Sequence, residues 1–129
     1  KTVGEIVTPR VDIVALKSDD TLDTAMDIIG KRQFSKIPIY KESIDNIKGI
    51  LYAKDIIPYL MGSRPNVNLL TLAREPFFVP ETKPIDDLMA EFKSRKTSIA
   101  IVVDEWGGTE GLVTLEDVVE EEERKEGRS

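Results

Sequence analysis

Two kinds of hydrophobic spacing alternate along the first half of the chain. One stretch has the i, i+3, i+4, i+7 periodicity of an amphipathic helix, and its apolar members are Leu22, Ala25, Met26 and Ile29. Residues 18–21 directly before it supply side-chain oxygens for an N-terminal cap. Short apolar runs predict strands at 12–16, 37–40 and 47–51. A second helix is predicted over residues 55–61, ended by Gly62.

The same order of elements recurs in the second half of the chain, offset by 63 residues, so that Thr8 falls on Thr71. The matching apolar helix positions are Ile85, Leu88, Met89 and Phe92. Pro84 stands at the first helical position, where its missing N–H costs nothing. The remaining predicted elements are strands at 99–104 and 111–113, a turn at 105–110 and a helix from about Thr114. Each repeat therefore reads β-α-β-β-α.

The repeat predicts how the chain is organised. One repeat of about 60 residues would bury only about 60% of its unfolded surface and would be marginal alone. We therefore expect an α/β (α+β) fold in which the two repeats pack sheet to sheet around a pseudo-twofold axis. This arrangement leaves two related clefts, where the strands of one repeat meet the second helix of the other. The predicted segments are 1–61 for the first repeat, 62–70 for a connector, 71–121 for the second repeat and 122–129 for a frayed acidic tail.

Composition narrows the chemistry that the chain can perform. Its 129 residues include no cysteine and no histidine, which excludes a disulfide scaffold, a Cys/His zinc site and catalysis through either side chain. The net charge of −6 arises in the C-terminal part, because residues 1–103 carry 15 basic and 14 acidic side chains whereas 104–129 carry 3 and 10. The balanced body argues against nucleic acid as the partner, since nucleic acid attracts a basic face.

The stretch from Gly111 to Asp117 closes a strand and opens a helix. A structural interpretation is a capping box, in which Thr114 and Asp117 satisfy free N–H groups of the first turn. A functional interpretation uses the same positions. A helix N-terminus and a hydroxyl attract phosphate, a carboxylate one turn in accepts the ribose hydroxyls, and a glycine lets a ligand approach the backbone. The two roles are compatible, and the residues alone leave both open.

Both repeats end in Gly-apolar-x-x-x-x-Asp, at residues 49–55 and 111–117. Two β-α-β-β-α repeats with this ending resemble a tandem pair of cystathionine-β-synthase (CBS) domains, or Bateman module. Two further stretches resemble the CorC/hemolysin-C-like magnesium/cobalt efflux family. They are Ile-Val-Thr-Pro-Arg at residues 6–10 and Asp-Glu-Trp-Gly-Gly-Thr-Glu directly before Gly111. The resemblance covers residues 3–121.

The resemblance implies that an adenine nucleotide (AMP, ADP or ATP, with or without Mg²⁺) binds in the clefts as a regulatory ligand. Carried over by position, the first cleft, site A, would use Thr8, Val14, Phe34, Ser35, Lys36, Pro38, Thr114 and Asp117. The second, site B, would use Asp55, Thr71, Phe77, Thr97, Ser98, Ile99 and Ile101. Site A is favoured, because Tyr52 stands in site B where the family has a small hydroxyl residue.

The resemblance further implies a non-enzymatic module on the cytoplasmic face of the cell membrane. Lys1 is not a natural start, so we expect neighbouring segments, and the family supplies them as a membrane transport domain and a transporter-associated domain of the same parent chain. A homodimer is also expected. The apolar residues predicted to face the second copy are Ile56, Ile57, Leu60, Leu115, Val118 and Val119. Two alternatives stay open: a ligand-free dimerisation scaffold, and a direct Mg²⁺ sensor that uses acidic residues 120–123.

Overall fold

The computed structural model describes residues 1–61 and 66–127, which fall into two compact units. The terminal unit comprises Lys1–Ile13 and Phe77–Ser129, and the central unit comprises Val14–Pro76. The predicted helix end at Gly62 lies outside the described residues. The first 13 residues thus group with the second repeat, although their position in the sequence places them next to the first.

Both halves of the chain contain the predicted β-α-β-β-α order, to which the structure adds a strand at Thr8–Pro9 and a helix at Leu69–Leu72. The strands are β1 Thr8–Pro9, β2 Leu16–Lys17, β3 Lys36–Tyr40, β4 Ile47–Tyr52, β5 Phe78–Pro80, β6 Ile99–Val103 and β7 Thr109–Thr114. The helices are α1 Leu22–Arg32, α2 Ala53–Ile56, α3 Leu69–Leu72, α4 Ile85–Arg95 and α5 Leu115–Glu126. Short 3-10 helices form at Val3–Glu5, Arg10–Asp12 and Ile57–Leu60. This mixed content of helices and sheets confirms the predicted fold class.

The central unit contains a three-stranded sheet in the order β2-β3-β4. Strand β2 runs parallel to β3, and β3 runs antiparallel to β4. Helix α1 connects the two parallel strands, which a tight turn could not do. The core of this unit is formed by Leu16, Leu22, Ala25, Ile37, Ile39, Leu51, Ile56 and Leu69. The apolar stripe of α1 packs against this core, so the predicted amphipathic helix is confirmed.

Helix α1 begins where the polar residues before it predict. Thr21 is the N-cap, and its Oγ1 accepts a hydrogen bond from the backbone N–H of Thr24 at 3.1 Å. At the other end Gln33 adopts a left-handed φ of 57°, and its N–H donates to the carbonyl of Ile29. Because both ends are satisfied by neighbouring residues, the local sequence is sufficient to place this helix.

The terminal unit contains a four-stranded sheet in the order β1-β7-β6-β5. Strands β5 and β6 are parallel, and the other two pairs are antiparallel. Helices α4 and α5 supply apolar residues to a core formed by Val3, Val79, Ile85, Leu88, Phe92, Ala100, Val102, Val113 and Val118. Pro84, predicted at the first helical position, is the N-cap of α4, so the helix begins one residue later, at Ile85.

The strand predicted at residues 12–16 is wrong. Arg10–Asp12 forms a 3-10 helix, and the strand is limited to Leu16–Lys17. A strand forms only where a neighbouring strand completes its hydrogen-bond ladder. Within residues 12–17, only Leu16 and Lys17 pair with β3. Residues 13–15 are only half-buried, and Leu16 alone in this segment is fully buried, so the apolar run did not indicate a paired strand.

The hairpin between β6 and β7 is tighter than the sequence predicts, because β7 begins at Thr109, inside the predicted turn. Asp104 closes the turn: its Oδ1 accepts hydrogen bonds from the N–H groups of Trp106 at 2.9 Å and Gly108 at 2.8 Å. Gly107 has a φ of +84°, a conformation that favours glycine. The Trp106 side chain at the tip of this turn is 83% exposed.

The acidic C-terminal segment is helical rather than frayed through residue 126, because α5 continues to Glu126. Glu121 is only 4% exposed, and its carboxylate pairs with Lys1 Nζ at 2.6 Å and with Arg124 Nη1 at 3.4 Å. A buried carboxylate with cationic partners ties the helix to the rest of the terminal unit.

Candidate functional site

The start of α5 carries two of the predicted site A side chains, Thr114 and Asp117. Thr114 is the N-cap, and its Oγ1 accepts a hydrogen bond from the Asp117 N–H at 3.3 Å. Asp117 Oδ2 in turn accepts one from the Thr114 N–H at 3.0 Å. Both side chains are half-buried. The capping-box interpretation is confirmed, and the box uses Oδ2 of Asp117, so the second carboxylate oxygen lies outside it.

Gly111 does not have the role that the functional interpretation gave it. A Cβ added at this position would lie 2.2 Å from the carbonyl oxygen of Thr8 and 2.5 Å from Cγ2 of Val7. Strand β1, which pairs Thr8 with Leu112 and Pro9 with Gly111, already occupies the space beside the glycine. The expectation that a ligand approaches the backbone at Gly111 is therefore wrong, and the residue is a glycine because β1 packs directly on it.

Thr8, the third site A residue of the terminal unit, is brought to the edge of β7 by this pairing. Its side chain is half-buried. Arg10, two residues on, donates a hydrogen bond from Nη1 to the carbonyl of Thr109 at 3.2 Å, which fixes the turn that follows β1. The strand pairing therefore places Thr8 beside β7, the strand that leads into Thr114 and Asp117.

The other predicted site A residues belong to the central unit, and four of them lie within residues 34–38, at and just before the start of β3. Phe34 is 41% exposed and has the Arg32 guanidinium 6.0 Å from its ring, so it is not a core residue. Ser35 is exposed, and its carbonyl accepts a hydrogen bond from Ala53. Pro38 is buried on the face of β3 opposite to its core residues.

Two further residues complete the site A set in the central unit. Lys36 is half-buried at the first position of β3, and its Nζ lies 5.5 Å from the centre of the Tyr52 ring. Val14 is half-buried ahead of β2. The sheet thus brings Lys36 and Pro38 together on one strand.

Asp55, the key carboxylate of site B, forms a two-pronged ion pair with Arg74, an arginine that the sequence did not single out. Arg74 Nε lies 2.9 Å from Asp55 Oδ2, and Arg74 Nη2 lies 3.0 Å from Asp55 Oδ1. The guanidinium carbon is 4.2 Å from the centre of the Tyr52 ring, and Lys54 Nζ is 5.8 Å from the same ring. The hydrogen bonds from Arg74 lower the pKa of Asp55, and the same bonds raise the pKa of Arg74.

The remaining site B residues have structural roles in their own units. The Thr71 hydroxyl donates to the carbonyl of Asn68, the N-cap of α3, at 2.6 Å. Phe77 packs edge-on against Phe92 with ring centres 6.2 Å apart, and it contacts the core of the terminal unit. The Thr97 N–H donates to the Phe92 carbonyl.

Ser98 and two isoleucines complete the site B set. The Ser98 carbonyl accepts a hydrogen bond from the Leu115 N–H at 2.9 Å. Ile99 and Ile101 are only 3% and 0% exposed, on the face of β6 opposite to its core residues. Asp55 is therefore paired with Arg74, and several of the other predicted side chains take part in packing or in local hydrogen bonds.

Strand register corrects the alignment between the two repeats. The sequence offset matches Thr8 with Thr71, but in the terminal unit Thr8 lies opposite Leu112, and in the central unit Arg74 lies opposite Ile50. Leu112 and Ile50 each follow the glycine of their repeat, and each stands five residues before the aspartate. The structural counterpart of Thr8 is therefore Arg74. The sequence does not indicate that Thr8 and Arg74 correspond, because the segment between Thr8 and β2 is longer than the segment between Arg74 and β5.

Two negative findings bear on the function classes. Among residues 1–61 and 66–127, no group of three or more Asp, Glu, His or Cys side chains is arranged to hold a metal ion. Within the same described part of the chain, no helix has the length and apolar character needed to cross a membrane.

Comparison with known proteins identifies the family. A profile described as the CBS domain matches residues 3–62 and 70–124. The chain is 39% identical over 118 residues, 92% of its length, to the magnesium and cobalt efflux protein CorC of Escherichia coli (strain K12), and it spans about 40% of the length of that relative.

Solved structures agree with this assignment. The CBS domain of a bacterial CNNM/CorC family Mg²⁺ transporter, in complex with ATP, is 43% identical with a TM-score of 0.89, covering 94% of this chain and 86% of that one. A CBS-domain pair from Klebsiella pneumoniae with bound AMP is 29% identical with a TM-score of 0.81, covering 93% and 96%. The chain therefore belongs to the CBS-domain family, as a tandem CBS pair of the CNNM/CorC group.

Proposed function

We propose that this CBS pair binds an adenine nucleotide and acts as a non-enzymatic regulatory module of a divalent-cation (Mg/Co) transport protein. The observation that carries the proposal is the pair of nucleotide complexes among its relatives, one with ATP and one with AMP. The capping box at the start of α5 supports it, because Thr114 and Asp117 stand together at a helix N-terminus.

In this proposal different site A residues contact the ribose, the phosphate and the adenine of the nucleotide. The free carboxylate oxygen of Asp117 accepts hydrogen bonds from ribose hydroxyls. The Thr114 hydroxyl, the first turn of α5 and Lys36 contact phosphate. The apolar surfaces of Val14, Phe34 and Pro38 contact adenine. Thr8 and Ser35 add polar groups beside these. Mg²⁺ would accompany the phosphates rather than occupy a protein site of its own.

Regulation requires that the nucleotide binds one conformation of the module better than another. The parent chain would supply the membrane transport domain and the transporter-associated domain, and the module would lie on the cytoplasmic face of the membrane.

A ligand-free dimerisation scaffold is the alternative. A nucleotide at roughly 100 times its Kd stabilises the folded chain by about 2.7 kcal/mol, whereas a scaffold shows no thermal shift. A direct Mg²⁺ sensor would give heat with Mg²⁺ alone in calorimetry.

The proposal predicts a graded response to nucleotide and salt. Adenosine should compete for the site more weakly than AMP, because adenine burial is apolar and survives the loss of phosphate. Added salt should weaken AMP binding only modestly, since one or two charges contact phosphate rather than the 6–10 contacts typical of proteins that bind DNA. The measurement is competition by adenosine, AMP, ADP, ATP and inorganic phosphate at low and moderate salt. Competition by phosphate without competition by adenosine would contradict a nucleotide site.

We also propose that the module is a homodimer, although the structure changes the surface that the sequence predicted. Ile56 and Val118 are buried in the cores at 3% and 0% exposure, so they are not interface residues. Ile57 and Leu60 remain more than half exposed, and Val119 is 39% exposed. We expect light scattering at micromolar concentration to give a dimer mass, which Leu60→Asp lowers towards that of the monomer. A monomer mass for the unmodified chain would contradict the dimer.

A further inference from the structure

We propose that Arg74 closes the second nucleotide site of this CBS pair by occupying Asp55, so that the chain binds a single adenine nucleotide rather than two. This inference rests on the proposed function, because it assigns Asp55 the ribose-binding position of its repeat. It names Arg74 as the residue that decides which of the two repeat motifs is available to ligand.

Both oxygens of Asp55 already accept hydrogen bonds from Arg74, so a ribose has to compete with the guanidinium for them. Arg74 donates from Nε to one carboxylate oxygen and from Nη2 to the other, at 2.9 and 3.0 Å. A ribose would have to displace a cation that contacts both oxygens, because the Arg74 bonds carry charge on donor and acceptor whereas ribose hydroxyls are neutral donors. Asp55 and Arg74 are 28% and 46% exposed, so the ion pair adds little to stability, and its effect is on occupancy of the carboxylate.

Arg74 is held in this position from both sides. Its backbone exchanges two hydrogen bonds with Ile50, each at 2.9 Å. Its guanidinium stacks on the ring of Tyr52 at 4.2 Å. Next to this bridge, a Cβ at Gly49 would lie 2.7 Å from Cβ of Ala73, so the segment that carries Arg74 packs directly on β4. The arginine is therefore positioned by backbone pairing and not by the ion pair alone.

The terminal unit has an equivalent aspartate, but it differs from the central unit at the two matching positions beside it. Thr114 is the N-cap where the central unit has Tyr52, which forms no side-chain cap bond. Asp117 and Asp55 are each the third residue of their helix. Thr8, opposite Leu112, stands where the central unit has Arg74 opposite Ile50. Thr8 is too short to form the two-pronged contact with a carboxylate, so one oxygen of Asp117 is left for a ligand.

A reciprocal exchange tests the assignment in the whole chain by calorimetry with AMP and adenosine. Arg74→Ala should open a second site for adenosine, and Tyr52→Thr together with Arg74→Ala should raise the AMP stoichiometry from one to two per chain. Thr8→Arg should place a guanidinium on Asp117 and weaken AMP binding by roughly tenfold or more. Thr8→Val should weaken AMP binding less, because it adds no positive charge beside Asp117. Lys93→Ala, which removes one positive charge from an exposed position of α4, should leave stoichiometry and affinity unchanged.

The outcomes separate this inference from the proposed function. An unmodified chain that binds no nucleotide would overturn both. A single binding event in the unmodified chain, unchanged in Arg74→Ala and in the double variant, would overturn the role of Arg74 alone, as would equal losses in Thr8→Val and Thr8→Arg. If the variants do not fold, the role of Arg74 is tested by following the NMR resonance of its Nε–H group in the unmodified chain as AMP is added. This resonance should stay unshifted and slow to exchange at saturating AMP, and loss of that protection would contradict the proposal.

Discussion

Asp117→Ala is expected to weaken adenine-nucleotide binding by roughly tenfold or more while the chain remains folded. The substitution removes a charged acceptor of ribose hydrogen bonds, and one such bond contributes about 1.5–3 kcal/mol. It also removes the reciprocal bond to the Thr114 N–H, so the free energy of unfolding should fall by about 1 kcal/mol. Calorimetric titration with AMP measures the first effect and chemical denaturation the second.

Glu116→Ala is the matched control for this substitution. Glu116 lies in the same first turn of α5 and carries the same charge, but it is exposed and is not part of the capping box. Both substitutions remove a negative charge from the helix N-terminus, so a general electrostatic effect would appear in both. An affinity in folded Asp117→Ala equal to that of Glu116→Ala would refute the assignment of Asp117 to the ribose.

Gly111→Ala is expected to lower the free energy of unfolding by about 1–3 kcal/mol, the usual cost of forcing atoms into filled space. The new Cβ would lie 2.2 Å from the backbone carbonyl oxygen of Thr8, and a backbone atom cannot move aside as the end of a side chain can. Strand β1 must therefore shift away from β7. Because β1 carries Thr8, nucleotide affinity should fall together with stability.

Gly30→Ala is the control, since it adds the same methyl group where nothing lies within 4 Å. Gly30 is inside α1, where alanine is favoured over glycine by roughly 0.5–1 kcal/mol. The two substitutions should therefore change stability in opposite directions when both are followed by urea denaturation. Equal stability of Gly111→Ala and the unmodified chain would mean that β1 does not pack on Gly111 in solution.

The sequence by itself determined the elements whose physical causes are local. Helix α1 follows from apolar residues at helical spacing and from the Thr21 cap, and α5 follows from the reciprocal box between Thr114 and Asp117. Each of these features involves residues within about four positions of one another, so the pattern is visible in the sequence itself. The order of elements in both repeats, and with it the family resemblance, could be predicted for the same reason.

Only the tertiary structure decided which distant segments pair. Strand β1 joins β7 across about a hundred residues of chain, and this contact groups residues 1–13 with the second repeat and explains Gly111. The bridge between Ile50 and Arg74 likewise places an arginine on Asp55. Strand register depends on turns and packing outside the paired residues. The two repeat motifs therefore look alike in sequence, yet one aspartate keeps a free oxygen and the other is held by an arginine.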